Sequence, residues 1–108
     1  MGTLYVIATP IGNLKDITKR AVKILKKVDS VLCEDTTRTV KILNKLEIKK
    51  PLHSFHQHSS EKKLNNLITK LKQGATLAFL TDSGTPGVSD PGPRLVEECH
   101  KNKIPVVA

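Results

Sequence analysis

Tryptophan is absent from this 108-residue chain, and Tyr5, Phe55 and Phe79 are its only aromatics, so any core must be aliphatic. Cysteine is scarce too. Cys33 and Cys99 are far apart with no CxxC spacing, which argues against a disulfide framework and against a zinc site. No apolar run approaches the roughly 18–20 residues that cross a bilayer. The first residues lack the basic stretch, long apolar stretch and small-residue cleavage site of a secretory signal. The expectation is a cytoplasmic protein with neither a membrane segment nor a metal. Carboxylates are few: 10 Asp plus Glu stand against 18 Lys plus Arg, a net charge of +8.

Hydrophobic residues make up 38% of the chain and are spread along its whole length, so one packed domain is expected rather than disorder. The basic excess has two readings. It attracts polyphosphate, because each neutralised phosphate releases counterions. Equally, fifteen of the cations are lysines, which simply keep outward helix faces soluble.

Strand-like apolar runs alternate with helix-like spacing, the mark of a βαβ series. Leu4–Ala8 reads as a first strand. A helix follows with Ile17, Ala21, Ile24, Leu25 and Val28 on one face, and Asp16 stands where an N-cap belongs. Residues 30–34 read as a second strand, and Asp35 or Thr36 opens a helix with Val40, Leu43 and Leu46 inward. A weaker strand at 51–55 precedes a helix over 61–73, whose C-cap is Gly74. Thr76–Thr81 is the clearest strand. After a loop from Asp82 to Gly92 come a short helix with Leu95, Val96 and Cys99 and a fifth strand from Ile104. The fold class is therefore α/β: a mostly parallel five-stranded sheet with helices on both faces. The chain stops at Val106-Val107-Ala108, inside a core-type strand, so the expectation is the amino-terminal half of something longer.

Ligands of open parallel sheets bind at the carboxyl ends of the strands. Four polar segments fall there. Thr9, Pro10 and Gly12 follow the first strand, with Gly12 allowing close backbone approach. Thr81–Gly92 holds Asp82, Ser83, Gly84, Thr85, Ser89 and Asp90 in a loop longer than the usual connection of about 2–6 residues. Its prolines stiffen it, and it has neither the GK[ST] of a phosphate loop nor GxGxxG. Glu34, Asp35 and Arg38 follow the second strand, suited to acid/base work, ribose or phosphate contact, or simply to capping a helix. His53, His56 and His58 match no metal-ligand spacing and fit the rim of a polar cleft.

Taken in order, LYVIATPIGNLKDITKRAVKILKKVD, CEDTTRTVKILNKL, PLHSFHQHSSEKK, AFLTDSGTPGVSDPGPRLVEEC and IPVV resemble the tetrapyrrole-methylase superfamily over essentially the whole chain. They are most similar to its ribosomal-RNA branch, the small-subunit methyltransferase I group. Corrin and sirohaem methylases carry a GxGPGD-like first loop where this chain reads ATPIGN. The resemblance implies a two-domain enzyme, 1–108 being the amino-terminal α/β domain, usually a homodimer, with S-adenosyl-L-methionine between the domains. It implies 2′-O-methylation of a cytidine in 16S ribosomal RNA of the small subunit. By position it places Thr9, Pro10, Gly12 and Asp82–Thr85 at the cofactor, and Glu34, Asp35, Arg38 and the His56 region toward substrate. Ser89 and Asp90 are further substrate-side candidates. Glu34, Asp35 and His56 are the candidate proton acceptors. The motif EDTTRT departs from an EDTRxT-like pattern, which leaves the arginine's register open at Arg38. This half alone is expected to bind cofactor weakly and not to turn over. Two alternatives stay open: a tetrapyrrole C-methyltransferase and a non-catalytic RNA-binding module.

Overall fold

Five parallel strands stand in the order β3-β2-β4-β1-β5, so the strand fourth in sequence lies at the sheet centre. They are β1 (Leu4–Thr9), β2 (Ser30–Cys33), β3 (Leu52–Ser54), β4 (Leu77–Asp82) and β5 (Val106–Val107). The computed structural model describes residues 1–9, 16–82 and 92–108. The helices are α1 (Lys19–Lys27), α2 (Thr36–Lys45), α3 (Glu61–Lys72) and α4 (Gly92–Lys101).

Period-two alternation sorts the strand side chains onto two faces. Leu77 and Phe79 of β4 join Leu4 and Leu32 beneath α3 and α4, where Leu64, Leu67, Leu71, Leu95 and Cys99 close over them. Ala78 and Leu80 join Ile7, Val31 and Cys33 beneath α1 and α2, where Ala21, Ile24, Leu25, Val28 and Leu43 cover them. The core is aliphatic apart from Phe55 and Phe79, which are fully buried on the α3/α4 side.

The helix ends correct two sequence readings. The N-cap of α1 is Thr18, not Asp16: the Thr18 hydroxyl accepts the Ala21 N–H at 3.0 Å. In α2 the inward stripe is Thr39 and Leu43, while Val40 is 41% exposed. Thr39 faces the core with its hydroxyl near enough to the Cys33 thiol to lower its pKa, and no buried side-chain polar atom among the described residues is stranded. The C-cap of α3 is Gln73 rather than Gly74, which follows it at φ 103° and donates its N–H to the Leu71 carbonyl.

Helices α1 and α2 together carry eight Lys or Arg and no carboxylate. Lys19/Lys23, Lys23/Lys27 and Lys41/Lys45 are like-charged i,i+4 neighbours, each costing about 0.2–0.5 kcal/mol. Lys19 and Arg20 also sit in the first turn of α1, against the helix dipole. Helices α3 and α4 carry carboxylates as well and no like-charged i,i+4 pair: Glu61 occupies the first turn of α3, and Glu97 pairs with Lys101 at 3.7 Å on α4.

Candidate functional site at the strand tips

The chain leaving β1 and β2 returns through α1 and α2 on one face, whereas that leaving β3 and β4 returns through α3 and α4 on the other. Neighbouring connections therefore diverge on either side of β4. That divergence marks the carboxyl ends of the strands as the place where open α/β sheets are expected to form a ligand crevice.

There Thr9 of β1 is in register with Asp82 of β4, and Ala8 with Thr81. Thr9 is buried, and its hydroxyl donates to the Thr81 carbonyl at 2.9 Å. The Thr81 hydroxyl in turn lies 3.5 Å from the Ile7 carbonyl. These cross-strand bonds fasten the two tips at the point where the ladder ends. Pro10, Gly12, Ser83, Gly84, Thr85, Ser89 and Asp90 lie outside the described residues.

One strand away, β2 ends at Cys33, in register with Leu80 of β4 and Ser54 of β3. Glu34 and Asp35 follow it directly, and both are exposed. Asp35 is the N-cap of α2, its Oδ1 accepting the Arg38 N–H at 3.2 Å. The Asp35 carboxylate thus has a structural duty whatever else it does. Arg38 is exposed on the first turn of α2. The Cys33 thiol beneath is buried, and burial pushes its pKa up against the lowering effect of the Thr39 hydroxyl.

His56 follows the edge strand β3, two strand positions from β4, or about 10 Å at the usual spacing. Its backbone N–H donates to the Ser59 hydroxyl at 2.9 Å, and the Ser59 N–H returns a bond to the His56 carbonyl. The ring Nδ1 accepts the His58 N–H at 3.3 Å. That contact engages one of the two ring nitrogens with the backbone of its own turn. His53 points elsewhere in function: it is half-buried on β3, with its pKa lowered by burial and by Lys70 and Lys63.

Sequence reasoning passed over Arg94. Its guanidinium donates to the Ser59 carbonyl at 2.6 Å, the Gln57 carbonyl at 3.2 Å and Glu61 Oε1 at 2.9 Å, and lies over the Phe55 ring at 5.6 Å. One side chain from the start of α4 thereby holds the turn that carries His56. The available signal was an arginine directly after PGP.

Among the described residues no group of three or more His, Cys, Asp or Glu is placed to hold a metal, and no helix is long and apolar enough to cross a membrane. A depression of about 400 Å³ lies between α2 and β3, lined by Val40, Leu43, Ile48, Lys49, Pro51 and Leu52. It sits toward the amino end of β3, away from the strand tips.

Residues 3–108 match the family described as tetrapyrrole (corrin/porphyrin) methylases. This chain belongs to the tetrapyrrole methylase family. A relative from Thermotoga maritima called ribosomal RNA small subunit methyltransferase I is 51% identical over 98% of this chain and 48% of its own length. The protein of the same name from Leptospira biflexa is 47% identical over 98% of this chain and 44% of its own. This methylase-family chain thus spans about half the length of those relatives. Its fold is that of a uroporphyrin-III C-methyltransferase from Thermus thermophilus solved with S-adenyl homocysteine: the TM-score is 0.69 at 18% identity, over 97% of this chain and 46% of that one.

Proposed function

We propose that residues 1–108 form the amino-terminal half of an S-adenosylmethionine-dependent methyltransferase acting on a cytidine 2′-hydroxyl of 16S ribosomal RNA in the small subunit. The observation that carries the reading is the pair of strand tips at that expected crevice, where Thr9 of β1 bonds the Thr81 carbonyl of β4 and exposed Glu34 and Asp35 follow the neighbouring β2. The naming of relatives at about half identity supports ribosomal RNA as substrate.

The chemistry of the crevice fits the cofactor. Two exposed carboxylates one strand from the β4 tip suit a ligand with a sulfonium and an ammonium group, and no phosphate-loop signature competes for the same place. When bound, S-adenosylmethionine supplies an electrophilic methyl group. The tips of β1 and β4, through Thr9 and Asp82, orient the nucleoside end. Pro10, Gly12, Ser83, Gly84 and Thr85 extend that contact. Arg38, Ser89 and Asp90 are the candidates for contact with the RNA. A ribose hydroxyl taking up that methyl group would have to give up its proton; Asp35, Glu34 and His56 are the acceptors this chain would offer. A second domain completes the pocket, and the intact protein is a cytoplasmic homodimer.

The test is methyl transfer by the intact protein from labelled S-adenosylmethionine. Assembled 30S particles should be labelled at a ribose, and uroporphyrinogen should not. Label on uroporphyrinogen alone would move the protein to the tetrapyrrole branch. No calorimetric binding of S-adenosylmethionine would make it a binding module.

A further inference from the structure

We infer that the α1/α2 layer, and not the α3/α4 layer, is the surface on which the RNA backbone lies. The inference rests on the RNA reading above and adds which face of the sheet meets the phosphates.

Local electrostatics and the fold conflict on α1 and α2. Lys19, Lys23 and Lys27 repeat along one line of α1 at i,i+4 spacing, and Lys41 and Lys45 do the same on α2. Such spacing weakens a helix that has no acidic neighbours. Among the described residues no carboxylate on either helix relieves it. The cations of α1 do find two weak partners: Arg20 donates to the Ala108 carbonyl at 3.1 Å, and Lys27 lies 4.9 Å from the Tyr5 ring. Lys23, Lys26, Lys41 and Lys45 are exposed.

Solubility alone does not demand this. Helices α3 and α4 also present exposed faces, yet they carry no like-charged i,i+4 pair: α3 opens on Glu61, Arg94 of α4 bonds that residue, and Glu97 pairs with Lys101. A local rule broken on one layer and kept on the other points to an external polyanion as the missing counter-charge. Position agrees. Helix α2 starts directly after Glu34 and Asp35 at the crevice, and both basic helices run from the strand tips down the same face. A ribose held at the crevice would leave its flanking phosphates along that face.

The experiment compares two quadruple variants of the intact protein, each losing four lysines. One carries Lys23→Gln, Lys26→Gln, Lys41→Gln and Lys45→Gln. The control carries Lys62→Gln, Lys70→Gln, Lys72→Gln and Lys103→Gln. Binding to transcribed 16S rRNA is titrated over a range of salt. The first variant should bind at least about tenfold more weakly, with its log–log salt slope reduced by about one unit per lysine. The control should stay close to the unsubstituted protein. The melting temperature of the first variant should hold or rise, because like-charge pairs are relieved. Equal losses in both variants, or a larger loss in the control, overturn the inference while leaving the RNA reading standing. If the unsubstituted protein does not bind 16S rRNA, both fall together.

Discussion

The guanidinium of Arg94 lies 2.6 Å from the carbonyl oxygen of Ser59, joining the first turn of α4 to the turn after β3. Two segments leaving the same end of the sheet are thus held by one side chain. With its side chain only 26% exposed and its head also bonded to Gln57 and Glu61, Arg94 fixes the backbone on either side of His56.

Arg94→Ala should therefore lower stability by about 1–3 kcal/mol, through lost charge-assisted bonds to carbonyls rather than through the exposed Glu61 pair. Arg94→Lys should recover only part of it, since an ammonium lacks the planar fork and its stacking on Phe55. Hydrogen exchange at the His58 and Ser59 amides should quicken in the alanine variant. Unchanged exchange there would mean that the turn holds itself.

Asp29, between α1 and β2, accepts the Thr76 N–H at 2.7 Å and the Thr76 hydroxyl at 3.1 Å through one carboxylate oxygen. The Thr76 backbone bond, then its hydroxyl, holds the carboxyl below its ordinary value of 3.8. A pKa lowered in the folded state adds stability above the unfolded value, and that stability drains as pH falls through the folded one. Asp29→Ala should thus melt below the parent protein at neutral pH, and the gap should narrow as pH drops beneath 3.8. A gap independent of pH would show that ionisation of Asp29 contributes nothing.

Much of this was written in the sequence, and the failures have physical causes. Strands and helices were legible because their apolar periods differ, and β3 read as the weakest strand because it is a short, half-buried edge. The order β3-β2-β4-β1-β5 was not legible, since alternation says that strands are parallel but not which are neighbours. Val40 points outward because Thr39 takes the inward position beside Cys33, which an apolar count cannot see. Asp16 is not the cap because the helix begins later than its apolar spacing suggests, and Thr18, two residues on, takes the place. At the site, the polar residues near the strand tips could be named, but the Arg94 clamp depends on contacts 33 to 37 positions away in the chain.

Cys99 lies fully buried between α4 and the sheet, and burial, then Glu98, pushes its thiol pKa up to about 11. Cys33 is buried and shifted in the same direction. Neither should react with an aromatic disulfide reagent at pH 8 in the folded protein, because almost no thiolate forms and access requires opening. Both should titrate at once in denaturant. Rapid labelling of Cys99 under native conditions would mean that the α4 side of the core opens far more often than its burial implies.

Asp35 has both a structural and a proposed chemical duty, and two substitutions separate them. Asp35→Ala removes the cap bond to the Arg38 N–H and should cost about 1 kcal/mol. Asp35→Ser restores an acceptor at the N-cap and should return most of that stability, but a serine hydroxyl cannot take the ribose proton at neutral pH. If Asp35 is the acceptor, the serine variant of the intact enzyme melts like the parent yet methylates 30S particles at least about a hundredfold more slowly. A serine variant with the parent's rate would confine Asp35 to holding α2 in place and pass the proton to Glu34 or His56.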